Sequence, residues 1–325
     1  MPDRQAIDLK LIHEAATFLA PRIRRTPIEP SPVLSTILGV PVSFKLESRQ
    51  LTGSFKIRGA LFRISRLTTE ERRAGVLTCS AGNHGKAVAY AARDAGVRAV
   101  ICVPLSVDPS KYDAMVALGA DVRVSEFDGY DDTEAWAKQM AIEEQFTFLS
   151  AFDDYAVMAA NGGTVALEVL QDAPDARTFV VPVGGGGLSA GFAVAVKQAQ
   201  PDAMLIGCQH ALSPALRLSL DTGRAITKLP AVETLAGGVE GGIGALTFPV
   251  LAPLVDRVAL VTEDEILAAV RWMLAEHPYM IEPTAAVALA ACLTGKVGKL
   301  SSPTVVVITG RNVSADTLQK ILCAS

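Results

Sequence analysis

Two runs of this chain, TFVVPV at 178–183 and TVVVIT at 304–309, are apolar almost without interruption instead of at every second position. A strand with one wet face alternates. A strand covered on both faces does not, so these runs belong in a parallel sheet with helices on either side. Further short β-rich runs sit between longer helical patterns. Gly75 to Cys79, Arg98 to Val103, Asp121 to Val124 and Met204 to Cys208 read as strands. Lys86 to Ala95, Pro109 to Leu118, Asp132 to Glu144 and Leu188 to Gln198 read as helices. Strand–helix alternation of this kind predicts an α/β fold of open, twisted parallel sheets with helices on both faces.

The βαβ units between about 75 and 150 look self-contained and end near Ala151-Phe152-Asp153-Asp154. A second set follows, and the first seventy residues must join one side or the other. A length of 325 residues accommodates either one large or two modest domains, and 50% hydrophobic content excludes a disordered chain. The net charge of -4 gives no electrostatic reason to expect nucleic acid. No apolar run approaches a membrane span, and the opening MPDRQAIDLK lacks the apolar centre of a signal peptide. Cys79, Cys102, Cys208, Cys292 and Cys323 are scattered and form no CxxC pair, so a reducing, cytoplasmic setting is expected. Four histidines without HxxxH spacing leave no metal site to expect.

Four segments carry chemistry. Gly184, Gly185, Gly186 and Gly187 follow the strand TFVVPV and precede a helix. Such a run brings backbone N–H groups and a helix N-terminus up to a ligand, which makes a phosphate cradle; a tight turn without a ligand would use the same residues. Gly185-x-Gly187-x-x-Ala190 satisfies a relaxed dinucleotide fingerprint, but the next strand leads to Gln209 where a ribose would need an acid. The second segment is Ser80-Ala81-Gly82-Asn83-His84-Gly85, an anion site suited to a carboxylate, or simply an N-cap and turn. In the third, Leu51 to Ala60, Lys56 follows Thr-Gly-Ser-Phe. Burial at a helix start would lower its pKa and make it an amine nucleophile, whereas an ordinary lysine there would be solvated. The fourth, Ile308-Thr309-Gly310-Arg311-Asn312, closes an apolar strand, and ligands gather at strand carboxyl ends.

In this order and spacing, SFKIRGA, SAGNHG, GGGGLSAG and TGRN, with VTEDEI at 261–266 and IEPTAA at 281–286, resemble the pyridoxal-phosphate-dependent threonine/serine dehydratases. That family shares the tryptophan-synthase-β fold (fold type II), and the resemblance runs from about Arg24 to Val313. Cysteine synthases differ at the lysine and asparagine motifs, and threonine synthases usually carry Asp where this chain has Ile57. The resemblance implies that Lys56 holds pyridoxal 5'-phosphate as a Schiff base with Phe55 against its ring. It implies that Asn83 bonds the ring hydroxyl and that Ser80, Ala81, Gly82, Asn83 and His84 bind the substrate carboxylate. Gly184 to Leu188 (Gly184, Gly185, Gly186, Gly187, Leu188) would cradle the phosphate, and Thr309 would face the pyridine nitrogen. Residues 73–150 would form a small mobile domain, with 1–72 and 151–325 forming the large one. A homodimer or tetramer acting on a small amino acid, without nucleic-acid or membrane partners, is the implied setting. The implied reaction removes the β-hydroxyl of a threonine- or serine-like substrate, giving a 2-oxo acid and ammonia.

Three departures matter. Arg311 stands where the commoner motif has a second Gly; an Arg there resembles the branch proposed for hydroxyectoine breakdown. The chain ends soon after Asn312, so the regulatory domain of the isoleucine-controlled enzymes is not expected. Ala236-Gly237-Gly238 replaces an ADG motif, losing an acid from the rim of the site. Metal-dependent relatives carry acids where this chain has Gln209 and Ala215, so no divalent cation is expected. The serine racemase branch has a serine hydroxyl at the position of Ala81, so inversion is not expected either. A β-replacement synthase with a second substrate and a non-catalytic binder of a phosphorylated metabolite are the remaining alternatives.

Overall fold

The computed structural model describes residues 7–323. It contains two sheets. The larger has six strands in the order β1-β2-β10-β7-β8-β9, and the smaller four in the order β5-β4-β3-β6. The large sheet is built from β1 (Ile28–Pro30), β2 (Val42–Leu46), β7 (Thr178–Pro182), β8 (Met204–His210), β9 (Arg257–Val261) and β10 (Thr304–Ile308). The small sheet holds β3 (Val76–Cys79), β4 (Ala99–Val103), β5 (Asp121–Val124) and β6 (Thr147–Phe148). Every pairing is parallel except β1 with β2, an antiparallel edge that the short IEP run did not suggest. The first seventy residues thus supply two strands of the large sheet, while β3 to β6 all come from 76–148.

Continuous apolar runs behave as two-sided cover requires. In β10, Val305 and Val307 point into one hydrophobic cluster, and Val306 and Ile308 into another across the sheet. The small sheet is covered likewise. Leu77, Cys79, Val100 and Cys102 pack on Ala137 and Ala141 of the helix Tyr130–Glu143, and Ile101 and Val103 pack on Ala89 and Met115. Most expected boundaries fall within a residue or two. Three helices begin earlier than the pattern suggested: Asn83 opens the helix expected at Lys86, Tyr130 the one expected at Asp132, and Gly187 the one expected at Leu188. Glycine and asparagine are weak helix formers, so propensity places the start after them. Here Gly82 and Gly186 serve as N-caps and draw Asn83 and Gly187 into the first turn. Among the described residues no helix is long and apolar enough to cross a membrane.

The sequence motifs leave the carboxyl ends of their strands. Ser80 follows β3, Gly184 follows β7 and Thr309 follows β10, while the segment after β2 leads through a 3-10 turn at Glu47–Arg49 to the helix Lys56–Ser65. They meet there: Phe55 N–H reaches the Thr309 carbonyl, Lys56 Nζ the Ala151 carbonyl, and Asn83 the side chain of Asn312.

Candidate active site

Lys56 is the first residue of its helix, capped by Phe55. The backbone there is pinned to the C-terminal motif. Phe55 N–H donates to the Thr309 carbonyl at 3.2 Å, Arg311 N–H donates to the Gly53 carbonyl at 2.9 Å, and Ser54 bridges Gly310. Lys56 Nζ donates to the Ala151 carbonyl at 2.8 Å and lies 5.2 Å from the centre of the Phe55 ring. Burial strips water from its ammonium and lowers its pKa to about 8, against a weaker opposing pull from Glu282. The solvated-lysine alternative does not describe this side chain.

The glycine run adjoins the same point. Phe152, next to Ala151, lies across it: a Cβ on Gly185 would fall 2.4 Å from the Phe152 ring, and one on Gly187 2.8 Å from Phe152 Cα. Gly186 has φ +93°, open to glycine at no cost. The Gly185 carbonyl accepts from Gly244 N–H at 3.1 Å and from Thr247 Oγ1 at 2.7 Å. Asp153 Oδ1 in turn accepts from the N–H groups of Leu246 and Thr247. Leu188 buries its side chain in the core, so only its backbone faces the cradle. Gly187→Ala is expected to push the Phe152 backbone away and to weaken at least tenfold the binding of the pyridoxal phosphate that the sequence resemblance implies. Titrating pyridoxal phosphate into the apoprotein measures this, with the apoprotein's melting temperature showing that the fold survives.

The loop Ser80 to His84 follows β3 of the small sheet. Ser80 Oγ accepts from Gly82 N–H at 3.2 Å, and the Ala81 methyl packs against the cluster around Ala89, Ile101, Val103 and Met115. His84 is buried with Nε2 3.4 Å from the Leu149 carbonyl. Burial, then the nearby Lys56 charge, depresses its pKa to about 3, so its ring is neutral at physiological pH. Asn83 joins a chain that sequence reasoning missed. Its Nδ2 donates to Glu282 Oε1 at 2.7 Å, and its Oδ1 accepts from Asn312 Nδ2 at 2.6 Å. Asn312 also donates to the Thr52 carbonyl and accepts from Lys86 Nζ at 3.1 Å. Glu282 caps the helix Pro283–Leu293, and burial raises its carboxyl to about 7 despite the bond from Asn83. The motif IEPTAA, an acid before a helix-opening Pro, contained that residue without disclosing its partner.

Three hydroxyls near this point, Thr52, Ser54 and Thr309, are buried and have no hydrogen-bond partner among the described residues. Buried polar groups are rarely left so, and their clustering on the segments flanking Lys56 marks a place for a polar ligand. No group of three or more His, Cys, Asp or Glu side chains able to hold a metal occurs among the described residues.

A family model described as pyridoxal-phosphate dependent enzyme matches residues 19–310. The L-threonine ammonia-lyase of Geobacter sulfurreducens is 41% identical over 313 residues, covering 96% of this chain and 77% of its own length. The serine racemase of Mus musculus is 37% identical over 314 residues, covering 94% of this chain and 92% of its own. Among solved structures, maize serine racemase superposes with a TM-score of 0.90 at 32% identity, covering 98% of this chain and 97% of that one. The residues present fit such a cofactor: a half-buried lysine of lowered pKa, a glycine run where added Cβ atoms would meet Phe152, and unpartnered hydroxyls on the segments flanking Lys56. The chain belongs to the pyridoxal-phosphate dependent enzyme family and shares the fold of its type II members.

Proposed function

We propose that the chain is a dehydratase that removes the β-hydroxyl of a small L-β-hydroxy amino acid and releases a 2-oxo acid and ammonia. The observation that carries this reading is Lys56, a half-buried amine of lowered pKa bonded to Ala151, whose neighbour Phe152 lies against Gly185 and Gly187. In this reading Lys56 bonds the cofactor, Gly184 to Leu188 hold its phosphate, and Asn83 holds its ring hydroxyl. Phe55 flanks the ring, and Ser80 to His84 receive the substrate carboxylate. When bound, pyridoxal phosphate supplies the electron sink for the Cα–H bond pair. Lys56, displaced by substrate, removes the α-proton as general base. The hydroxide then leaves Cβ as water, and hydrolysis of the resulting enamine gives the 2-oxo acid and ammonia. Thr309, neutral where a carboxylate would hold the ring nitrogen protonated, favours prompt loss of the β-substituent over side paths. The small domain, 73–150, would close over the substrate, and a cytoplasmic homo-oligomer is the setting we expect. An ammonia and 2-oxo-acid assay over a panel of β-hydroxy amino acids tests the reading; no product from any of them would overturn it.

Relatives and neighbours named serine racemase raise the competing outcome of inversion. Inversion needs a second acid/base opposite Lys56, because Lys56 returns a proton only to the face it came from. The Ala81 methyl, packed into the small-sheet core, cannot serve, and His84 is neutral and turned to the Leu149 carbonyl. In D2O the L-substrate is expected to give ammonia with little or no α-deuterated D-amino acid. Chiral chromatography coupled to mass spectrometry checks this; D-product forming as fast as ammonia would assign the second proton to another residue.

A further inference from the structure

The hydrogen bonds around Asn83 have a direction, and the partners at the far end of the chain decide it. Lys86 Nζ can only donate, and its bond at 3.1 Å goes to Asn312. The Thr52 carbonyl can only accept, and it lies 2.8 Å from the same amide. A donor on one side and an acceptor on the other leave a single orientation for Asn312, with Oδ1 toward Lys86 and Nδ2 toward Thr52. That Nδ2 also bonds Asn83 at 2.6 Å, so Asn83 must meet it with Oδ1. The Nδ2 of Asn83 is thereby turned to Glu282, at 2.7 Å. One of its two hydrogens goes to Glu282, and the other has no partner among the described residues.

Glu282 alone could not impose this order. Burial raises its carboxyl to about 7, so near neutral pH it can present an O–H or a lone pair and would meet either end of an amide. Asn312 sets the order instead, and the backbone is shaped to seat it. Gly53 has φ +82°, and a Cβ on it would fall 2.6 Å from Asn312 Oδ1. Arg311 N–H, next to Asn312, donates to the Gly53 carbonyl at 2.9 Å. Glu282 Oε1 lies against Gly310, where an added Cβ would collide with it. The nitrogen edge of Asn83 is therefore on the side of Thr309 and Gly310, the strand end that also holds Phe55.

We propose that Asn312 is a positioning residue: locked by Lys86 and Thr52, it holds Asn83 so that the amide nitrogen, and not the oxygen, meets the ring oxygen of pyridoxal phosphate. A hydrogen bond donated to that oxygen favours its ionised form, whereas one accepted from it would hold the neutral hydroxyl. This role rests on the reading in which Asn83 meets the ring oxygen, but not on which amino acid is turned over.

Titrating the apoprotein with pyridoxal phosphate and with its analogue lacking the ring hydroxyl tests this role. The native protein is expected to prefer the parent by about tenfold or more, as for a hydrogen bond to a charged group. That preference is expected to fall by about threefold or more in Asn312→Asp, which can donate to neither Thr52 nor Asn83, and in the uncharged Asn312→Ala. Both loaded variants should also absorb less in the visible, where the ionised form absorbs, and more in the near ultraviolet. Lys86→Met should stay within about twofold of native, because the Thr52 carbonyl still fixes Asn312. Unchanged preference in both Asn312 variants overturns the role. So does equal weakening of the two ligands with an unshifted spectrum, which would mark Asn312 as a structural part only. A shift in Asn312→Asp alone would be an effect of the added charge and overturns it as well. Native preference retained in Asn83→Ala would show that Asn83 does not meet the ring oxygen, which strikes the role at its base. Melting temperatures of the apoproteins show that each variant folds, and Asn312→Ala serves where Asn312→Asp does not. Should the preference follow Asn312 while no β-hydroxy amino acid yields ammonia, only the dehydratase reading falls.

Discussion

Replacing Lys56 by alanine is expected to slow elimination by about three to four orders of magnitude and to abolish the covalent, borohydride-reducible link to the cofactor. Among the described residues no other lysine hydrogen-bonds the Ala151 carbonyl. Lys86, the lysine bonded to Asn312 across the Asn83 chain, is tied away from the Ala151–Phe152 segment that adjoins both Lys56 and the glycine cradle. The variant should still bind pyridoxal phosphate, because the cradle and Asn83 are untouched. Its visible absorbance should then be that of a free aldehyde, and reduction followed by peptide mapping should find no labelled lysine. A labelled peptide elsewhere in the chain would move the attachment point.

The same environment sets a pH dependence. A neutral amine attacks the aldehyde and an ammonium does not. With burial holding the Lys56 pKa at about 8, cofactor capture by the apoprotein should quicken as pH rises and level off above about 8. An ordinary lysine would keep quickening toward the model-peptide range near about 10.4. Stopped-flow absorbance from pH 6 to pH 10 distinguishes the two courses.

What could be read from the sequence divides along a physical line. Strands covered on both faces carry their environment in their own composition, so TFVVPV and TVVVIT declared themselves. Glycine runs between a strand and a helix are equally local, because the constraint acts on the backbone that carries it. Lys56 and Asn83 were found through motif order. Glu282 was not, since its meaning lies in a bond to Asn83 across 199 residues of chain. Asn312 was noticed only for its neighbour Arg311, while its own side chain links Thr52, Asn83 and Lys86. The antiparallel edge β1 carries three residues, too few for any periodicity to register. Arg58 is the sharpest case. Nothing in SFKIRGA marks it, yet it is 0% exposed.

Arg58→Met is expected to destabilise the apoprotein by about 3–5 kcal/mol, the range for removing one partner from a buried ion pair. The guanidinium is surrounded. Its Nε and Nη2 donate to the two oxygens of Glu47 at 2.9 and 2.8 Å, and its Nη1 and Nη2 to those of Glu168 at 2.7 and 3.0 Å. A further bond reaches Thr164 Oγ1 at 3.2 Å, so all five N–H groups can be satisfied. Lys45, also 0% exposed, donates to Glu168 at 2.5 Å and to the Thr26 carbonyl at 2.7 Å. Two cations and two carboxylates thus balance. Methionine fills much of the arginine's volume but leaves Glu168 with Lys45 and Glu47 with only the Thr26 hydroxyl, so one buried charge is uncompensated. Arg58→Lys restores the charge without the bidentate fork, so it should lose less, and Arg58→Met combined with Glu47→Gln should recover part of the loss, because Lys45 keeps Glu168 and no carboxylate is left unpaired. Urea unfolding midpoints measure all three; a shift under about 1 kcal/mol for Arg58→Met would show that water reaches the site and solvates the acids. The network also ties the helix of Lys56 to β2 and to the helix Thr164–Asp172, two residues past the amine itself. Folded Arg58→Lys should therefore bind cofactor more weakly while keeping the Lys56 pH course, because the amine's burial survives when its position loosens.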